Sequence, residues 1–488
     1  MRARVALLLL PWLAACAVQP PPRMQPEIGT PTPDSWTAAD AVVAEPDDAW
    51  WASFDDPQLT ALIELALERN QDLRVASARL DRAAAEARIA GADLKPMVGI
   101  GLDASRRRQN FVGLPIPGEG VPSATFESYG VSLDASWEID LWGRIRARTR
   151  AAVADFQAAE AELRGAKLSL AAQTAKTWFA VEEALEQVML AEDSAASFAE
   201  SAENLRTRYK QGVRPPLDLR LALSNVTAAR ASLERRRAVL DATMRQLEVL
   251  LGDYPSAELL DTYPTEALPP MPEPVPAGLP AEMVARRPDL IAAERRLAAA
   301  DQRWLEARRA LYPRLSLTAS GGTSSNSLGD LLDGDFSVWG LFGNLTQPLF
   351  QGGRLRAGIG RAEAITDEAV ARYVGSVLQA YSEVEIALAT EGYLAAEEQQ
   401  LELNVGHNIA AERLAEERYR AGVGRYLELL ESQTRSFVAR SELLNLRRSR
   451  LANRVDLHLA LGGGFETDTA AGGAATAASS DGDEETPR

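Results

Sequence analysis

The chain contains one stretch of sequence twice, and this duplication decides the fold. Residues 69–96 read RNQDLRVASARLDRAAAEARIAGADLKP, and residues 286–313 read RRPDLIAAERRLAAADQRWLEARRALYP. The two segments align without a gap at an offset of 217 residues, and both show the apolar spacing of an amphipathic helix before a closing proline. Such a repeat indicates one supersecondary unit present in two copies.

Matching landmarks continue along the chain at an offset of 210 residues. The matched pairs are Gly143-Arg144 with Gly353-Arg354, Tyr209 with Tyr419, Gly212 with Gly422, and Leu251-Gly252 with Leu461-Gly462. We therefore predict a first repeat over residues 51–252, a proline-rich linker over 253–280 and a second repeat over 281–464. Residues 16–50 are predicted to form an extended, proline-rich leash, and the acidic residues 465–488 a disordered tail.

Each copy is predicted to contain two strands after its first helix. Residues 98–104 alternate between apolar and small or polar side chains, and residues 129–139 repeat this pattern after a Gly/Pro-rich loop. The second copy begins the same alternation at Leu315, Leu317 and Ala319, and then has a less regular segment. We expect four strands, each with one apolar and one polar face.

A very long helical hairpin is predicted to follow the strands in each copy. Residues 144–211 contain no proline and one glycine, so they can form a helix of about 68 residues and roughly 100 Å. The chain must turn at 212–216, and a second helix then returns along a heptad series. Arginines interrupt that series in both copies, and we expect them to reach from a packed seam to solvent rather than to act in transport. They are Arg230, Arg237, Arg440 and Arg447.

The first residues, MRARVALLLLPWLAAC, have the parts of a secretory signal. Two arginines precede a short apolar core, and small residues precede Cys16, the one cysteine of the chain. The segment 13–16 resembles a bacterial lipobox, which predicts a lipoprotein signal peptide over 1–15 and a diacylated Cys16. The alternative is an ordinary signal peptide that happens to contain a cysteine. Ala17 and Val18 replace the inner-membrane retention aspartate of such lipoproteins, which favours delivery to the outer membrane.

Composition excludes several classes of protein. The chain has 52 basic and 69 acidic residues, a net charge of −17, one cysteine and two histidines. These values argue against a nucleic-acid binder, a disulfide framework and a Cys/His zinc cluster. No apolar run of 18 residues is present, so a polytopic helical membrane protein is excluded. No hydrolase, phosphate-binding or redox motif is found; we expect no enzyme activity and no cofactor beyond the covalent lipid on Cys16.

Four strands cannot close a membrane barrel on their own. An open sheet edge in lipid leaves backbone groups without hydrogen bonds, and the smallest outer-membrane barrels have about eight strands. Several chains must therefore contribute to one barrel. Tryptophans near the strand ends, Trp137, Trp142 and Trp339, are consistent with an interfacial aromatic belt, although ordinary packing explains each one equally well.

The chain resembles a TolC-type outer-membrane factor, in particular the lipoprotein branch of that family (OprM/NodT-like). The resemblance runs from about residue 50 to residue 464. Its main segments are WASFDDPQLTALIELAL at 51–67, WEIDLWGRIR at 137–146, ARRPDLIAAERRL at 285–297, YPRLSLTAS at 312–320, QPLFQGGRLRAG at 347–358 and RYRAGVGRYLELLES at 418–432.

This resemblance implies an α+β membrane protein built from an internal duplication. Three chains would contribute four strands each to one outer-membrane β-barrel, continuous with a long periplasmic α-helical barrel. The homotrimer would dock with a periplasmic adaptor and an inner-membrane pump. The resistance-nodulation-division (RND) type is the first candidate for that pump. It would be a passive duct of a tripartite efflux system for drugs or other small molecules. The alternatives are the exit duct of a type I protein or peptide secretion system and a heavy-metal efflux component.

The resemblance also places a candidate periplasmic gate at the hairpin turns. The family's tip tyrosine and acids fall on Tyr419, Glu428 and Glu431, and the first copy adds Asp218 by the repeat offset. A carboxylate repeated by threefold symmetry would form a ring that favours cations, whereas acids near a helix start can also simply be solvated. The adaptor-contacting tip is expected at Gly212, Val213, Gly422, Val423 and Arg425. Because some relatives have an arginine where this chain has Gly424, a tip salt bridge through Arg425 is in doubt.

Two rival classes predict other features. A general diffusion porin would carry a full set of strands in one chain and no long helices. A soluble coiled-coil scaffold would not need the lipobox or the strands with period-two alternation. The expected location is the outer membrane of a Gram-negative bacterium, where the chain would be lipid-anchored and in contact with outer-membrane lipid, with a large periplasmic portion and no nucleic-acid partner.

Overall fold

A computed structural model describes residues 21, 29, 35–38, 49–112, 121–265, 267–275 and 280–463. The predicted signal peptide, Cys16, most of the leash and the acidic tail lie outside the described residues. Within them, the elements follow the predicted order in both copies. No helix in these ranges is both long and apolar enough to cross a membrane.

The first copy contains α1 (Pro57–Arg69), α2 (Gln71–Ala92), β1 (Met97–Asn110), β2 (Ser123–Ile139), α3 (Arg144–Lys210) and α4 (Pro216–Leu250). Two short helices follow, α5 (Leu259–Thr262) and α6 (Pro280–Arg286). The second copy contains α7 (Pro288–Arg309), β3 (Arg314–Ser325), β4 (Ser337–Thr346), α8 (Arg354–Arg420) and α9 (Tyr426–Ala460). Equivalent helices have equal lengths: 22 residues for α2 and α7, 67 for α3 and α8, and 35 for α4 and α9.

The chain divides into two compact units, and each takes residues from both copies. Unit 1 includes Ala78–Glu160 and Ala292–Gly375, and therefore the four strands. Unit 2 includes the described parts of Ile28–Ser77, Ala161–Ile291 and Ser376–Arg488. The boundaries of the two compact units therefore do not coincide with the boundaries of the two sequence copies.

The four strands of unit 1 form one antiparallel sheet in the order β1-β2-β3-β4. Pairing places Ile100 opposite Leu133, Leu133 opposite Gly321, and Gly321 opposite Trp339. Because side chains alternate along a strand, these rows lie on one face, which is rich in Val, Leu, Ile and Trp. The intervening rows, such as Gly101 and Ser132, form a face of small and polar residues.

The apolar face of the sheet is largely uncovered in the single chain. Ile100, Leu102 and Trp339 are 78%, 80% and 85% exposed. At the edges of the sheet, β1 and β4 each pair with only one strand of the described chain. Strand β4 breaks the alternation, as its less regular sequence predicted, because Val338 and Phe342 occupy positions on the polar face.

The helices of unit 1 pack closely through small side chains. Ala154 of α3 and Ala298 and Ala299 of α7 form a buried cluster. Two indole hydrogen bonds lie where helices and strands meet: Trp137 of β2 donates to the carbonyl of Leu94, after α2, at 3.0 Å, and Trp142, between β2 and α3, donates to the carbonyl of Pro313, after α7, at 2.9 Å. Both tryptophans are at the end of the sheet where strands meet helices, whereas Trp339, near the start of β4, lies in the row of Gly321, Leu133 and Ile100.

Unit 2 has the larger apolar core. Trp50, Phe54 and Leu59, at the start of the first copy, are buried together with Trp178 and Phe179 of α3. Asp56 caps α1 by accepting the Gln58 and Leu59 amide hydrogens at 2.8 and 3.1 Å, and its other carboxylate oxygen accepts the Trp178 indole hydrogen at 2.7 Å. One carboxylate thus fixes both the helix start and its position on α3.

Two of the four predicted seam arginines form ion pairs at equivalent places in the two copies. Arg237 of α4 lies 2.7 Å from Glu192 of α3, and Arg447 of α9 lies 2.8 Å from Glu402 of α8. The paired residues are related by the same offset of 210 residues. These half-exposed arginines therefore link the two helices of each hairpin at its surface, as expected for side chains that reach from a seam to solvent.

Candidate functional site

The two helical hairpins of unit 2 turn through the same backbone structure. Gly212 and Gly422 have φ values of +74° and +84°, in the left-handed region that favours glycine. In each turn the glycine amide donates to the carbonyl three residues back, and the following valine amide donates to the carbonyl five residues back. This pattern is the Schellman motif, which satisfies carbonyls at the helix end and reverses the chain.

A buried tyrosine joins the two turns. Tyr419 is 3% exposed, and its ring lies 6.0 Å from that of Tyr426. The guanidinium carbons of Arg208 and Arg214 lie 4.8 and 5.5 Å from the centre of the Tyr419 ring, within the range of a cation–π interaction. Burial raises the pKa of Tyr419. The predicted gate tyrosine is therefore a packed link between the hairpins of one chain.

The same arginines satisfy carbonyl groups at the opposite turn. Arg208 donates to the Tyr419 carbonyl at 3.3 Å, and Arg214 donates to the Gly424 carbonyl at 3.4 Å. An apolar cluster from all four helices supports them: Phe198, Ala202, Leu205, Ala222, Val226, Ala229, Tyr419, Tyr426 and Leu429. The tip is consequently a small core with charged side chains on its surface.

The close approach at Gly424 explains the departure from the family's sequence pattern. A Cβ atom at this position would lie 2.9 Å from the Tyr419 backbone nitrogen and 3.1 Å from Arg418, so a side chain does not fit. The residue at the equivalent position of the first copy is Arg214, which supplies the tip with a guanidinium group from the other hairpin. Sequence reasoning missed Arg208 and Arg214, although the repeat offset already aligned Arg214 with Gly424.

The three predicted gate acids occupy different surroundings. Glu428 is exposed in the first turn of α9, and Asp218 is half-buried in the first turn of α4. Glu431 is exposed and lies 2.5 Å from Arg435 of the next helical turn. The chain thus presents three carboxylates beside its two turns, but only Glu431 has an ion-pair partner there among the described residues.

The residues predicted to contact an adaptor lie at the outer surface of the turns. Val213 and Val423 are 66% and 73% exposed, which is high for apolar side chains. Arg425 is also exposed, and its side chain makes no capping hydrogen bond to α9. It forms no ion pair with another residue of the described ranges.

Two buried titratable residues elsewhere in unit 2 were not predicted from sequence. Burial raises the pKa of Glu182 to about 8, and the nearby charges of Asp56 and Glu186 act in the same direction. The Thr265 hydroxyl donates to this carboxyl group at 2.8 Å. Burial and the charge of Arg454 lower the pKa of His458 to about 4, and its ring stacks on Trp50 at 5.3 Å.

The described side chains show no metal site, since no three His, Cys, Asp or Glu residues among them are grouped to hold an ion. The distinctive features are instead a two-faced sheet with open edges and a paired helical tip. Comparison with known proteins identifies the family to which a chain with these features belongs. The sequence matches the family described as outer membrane efflux protein over residues 62–253 and 279–463.

The chain belongs to the outer membrane efflux protein family. It is 34% identical to the outer membrane protein OprJ of Pseudomonas aeruginosa, over 94% of this chain and 95% of OprJ. It is 35% identical to the pyoverdine export outer membrane protein OpmQ of Pseudomonas putida, over 94% and 96% of the two chains. Among solved structures, the outer-membrane channel OprN matches with a TM-score of 0.82 and 29% identity, over 92% and 99% of the chains.

Membership in this family decides between the classes considered from sequence. The protein is an efflux channel of the outer membrane and not an enzyme. The family match therefore excludes the general diffusion porin and the soluble coiled-coil scaffold that were considered from sequence.

Proposed function

We propose that three copies of this chain close one twelve-stranded barrel and form the passive exit duct of a tripartite efflux pump. One observation carries the proposal: the four-stranded sheet has an exposed apolar face and unpaired edges at β1 and β4. Such edges are not tolerated in lipid, so the sheet needs strands from other copies. All neighbouring strands in the sheet are antiparallel, so β1 and β4 run in opposite directions. Strand β4 of one copy can therefore pair antiparallel with β1 of the next copy.

Interchain disulfide formation tests this closure. Cys16 is the only native cysteine, so Cys16→Ala provides a cysteine-free background. In this cysteine-free background, Leu341→Cys on β4 is combined with Val98→Cys, Ile100→Cys or Leu102→Cys on β1. All four positions belong to the apolar face, and we expect one combination to give a covalent trimer on oxidation.

The matched control combines Leu341→Cys with Gly99→Cys or Gly101→Cys, which lie on the opposite face of β1. These pairs should not cross-link, because side chains on opposite faces of a sheet point apart. Monomers in every combination, together with a monomeric mass in native mass spectrometry, would reject the trimeric barrel.

The partners and cargo follow from the same proposal. Relatives named as outer-membrane proteins of efflux or export systems support a periplasmic adaptor and an inner-membrane pump, with the RND type as the first candidate. The exposed apolar Val213 and Val423 suit an adaptor that grips the turns. Drugs or other small molecules are the proposed cargo; OpmQ is itself named for pyoverdine export. A diacyl group on Cys16 would anchor the chain to the outer membrane.

We also propose that Glu428, Glu431 and Asp218 line the periplasmic opening, with Tyr419 holding the turns that carry them. Threefold repetition would place several carboxylates around a narrow passage, which favours cations. Glu428→Gln with Glu431→Gln should therefore lower cation selectivity and change single-channel conductance in planar bilayers.

Glu397→Gln with Glu442→Gln removes the same charge from exposed positions away from the turns. This control should leave both quantities unchanged. Equal conductance and selectivity in the tip variant and the wild type would exclude these acids from the narrowest part of the duct.

A further inference from the structure

Unit 1 contains a charged cavity of about 550 Å³ where the sheet meets the helices. Residues from α2, α3, α7, β3 and α8 line it, and many of them are alanines. Five arginines contribute to the lining: Arg144, Arg148, Arg303, Arg314 and Arg361. Three carboxylates accompany them, so the cavity has an excess of basic groups in a chain of net charge −17.

Three of these arginines are already neutralised by carboxylates. Their ion pairs range from close contact to 3.7 Å. The pairs are Arg144 with Glu138 and Glu306, Arg148 with Asp93, and Arg303 with Asp155. The remaining lining carboxylate, Glu86, lies 3.7 Å from Arg82 outside the cavity.

Arg314 and Arg361 differ from the other three. Arg314 is the first residue of β3, Arg361 is in the second turn of α8, and both are exposed. Neither forms an ion pair with any residue in the part of the chain that the structure describes. Two guanidinium groups without carboxylate partners therefore line one cavity, and guanidinium is the group best suited to bind an oxyanion through two hydrogen bonds.

The cavity continues the polar face of the sheet. Arg314 alternates with Leu315 and so shares its face with Ser316 and Thr318. Glu138 lies on the same face of β2, and its carboxylate is 2.9 Å from the Arg144 guanidinium. In the proposed barrel, the polar face lines the channel, so each chain would offer this cavity to passing solutes.

We propose that Arg314 and Arg361 form an oxyanion-binding site for the carboxylate or phosphate group of anionic cargo. The inference rests on the proposed duct and names a substrate class for it. An anion in the cavity would accept charge-assisted hydrogen bonds from two otherwise unpaired guanidinium groups. The site would raise the local concentration of anionic solutes at the cavity.

Titration of the purified full chain tests the site. Isothermal titration calorimetry would be carried out in detergent at low ionic strength, with inorganic phosphate and, separately, with benzoate as probes. Arg314→Gln with Arg361→Gln should weaken binding of both probes about tenfold or more, since each lost hydrogen bond involves a charged donor.

Arg106→Gln with Arg107→Gln is the matched control. It removes the same charge from β1 near the opposite end of the sheet, outside the cavity, and should bind both probes as the wild type does. Wild-type affinity in the Arg314/Arg361 variant, or equal weakening in both variants, would overturn the site. Weakened binding of one probe alone would confine the site to that oxyanion.

Failure of this site and failure of the duct can be told apart. In cells, the Arg314/Arg361 variant should export less of an anionic dye and normal amounts of an uncharged one. Normal export of both dyes would contradict a role for the site in transport. Loss of the covalent trimer in the disulfide experiment would reject the duct whatever the calorimetry shows.

Discussion

At the residue scale, two buried side chains have strongly shifted pKa values, and the two shifts have opposite effects on the pH dependence of stability. Glu182 is 2% exposed and His458 is 5% exposed. Burial disfavours the charged form of each, so the carboxyl group keeps its proton and the imidazole stays neutral near pH 7. Neither residue contributes chemistry to a passive duct, and their effect is therefore on stability.

For Glu182, the pKa of about 8 in the folded chain lies above its ordinary value of 4.5. The folded state binds the proton more tightly, so the contribution of Glu182 to stability is fully present below pH 4.5 and is lost as the pH rises to 8. Glu182→Gln should abolish this fall and stabilise the protein by about 3 kcal/mol at pH 7. The measurement is the thermal midpoint at pH 5 and pH 8. Exposed Glu397→Gln is the control, and a wild-type pH dependence in Glu182→Gln would refute the assignment.

For His458, the pKa of about 4 lies below its ordinary value of 6.5. The contribution of His458 to stability is therefore fully present above pH 6.5 and is lost as the pH falls towards 4, by about 3 kcal/mol. His458→Phe keeps an aromatic ring against Trp50 and removes the titration. Denaturant midpoints between pH 7 and pH 4 should fall less steeply in this variant, and identical slopes would contradict the prediction.

At the element scale, sequence was sufficient wherever a local pattern determines structure. The proline-free run gave the long helices, alternation gave the strands, and paired glycines gave the turns of both hairpins. The Arg208–Tyr419 contact joins residues 211 positions apart, so no local period could indicate it. Sequence comparison within the chain placed the tip, but only packing shows that its tyrosine is buried between two arginines.

The glycines at the turns provide a prediction about helix ends. Gly212→Ala and Gly422→Ala each force a side chain into a left-handed backbone conformation and should cost about 1 kcal/mol of stability. Gly392→Ala is the matched control, since Gly392 lies inside α8 and an added Cβ meets no atom within 4 Å. That variant should gain up to about 1 kcal/mol. Chemical denaturation measures all three, and a cost at Gly392 equal to that at the turns would refute the explanation.

At the scale of the whole molecule, the proposed barrel requires one face of the sheet to contact lipid and the other to line the channel. Leu133 and Ser132 are neighbours in β2 on opposite faces. Leu133→Arg places a charge on the apolar face and should cost about 2–4 kcal/mol of membrane insertion, whereas Ser132→Arg should be tolerated. The amount of protein in the outer-membrane fraction measures the difference. Equal loss in both variants would mean that the two faces do not have the assigned environments.

The duplicated hairpins also determine the stoichiometry with which a partner can bind the proposed trimer. Equal lengths of 67 and 35 residues in both copies mean that a threefold trimer would present six almost interchangeable tips. A partner that grips one hairpin would then meet a pseudo-sixfold ring and could bind in a stoichiometry of three or six. Alternate tips differ at the turn where Arg214-Pro215 replaces Gly424-Arg425, so a partner that selects every second site must read that pair of residues.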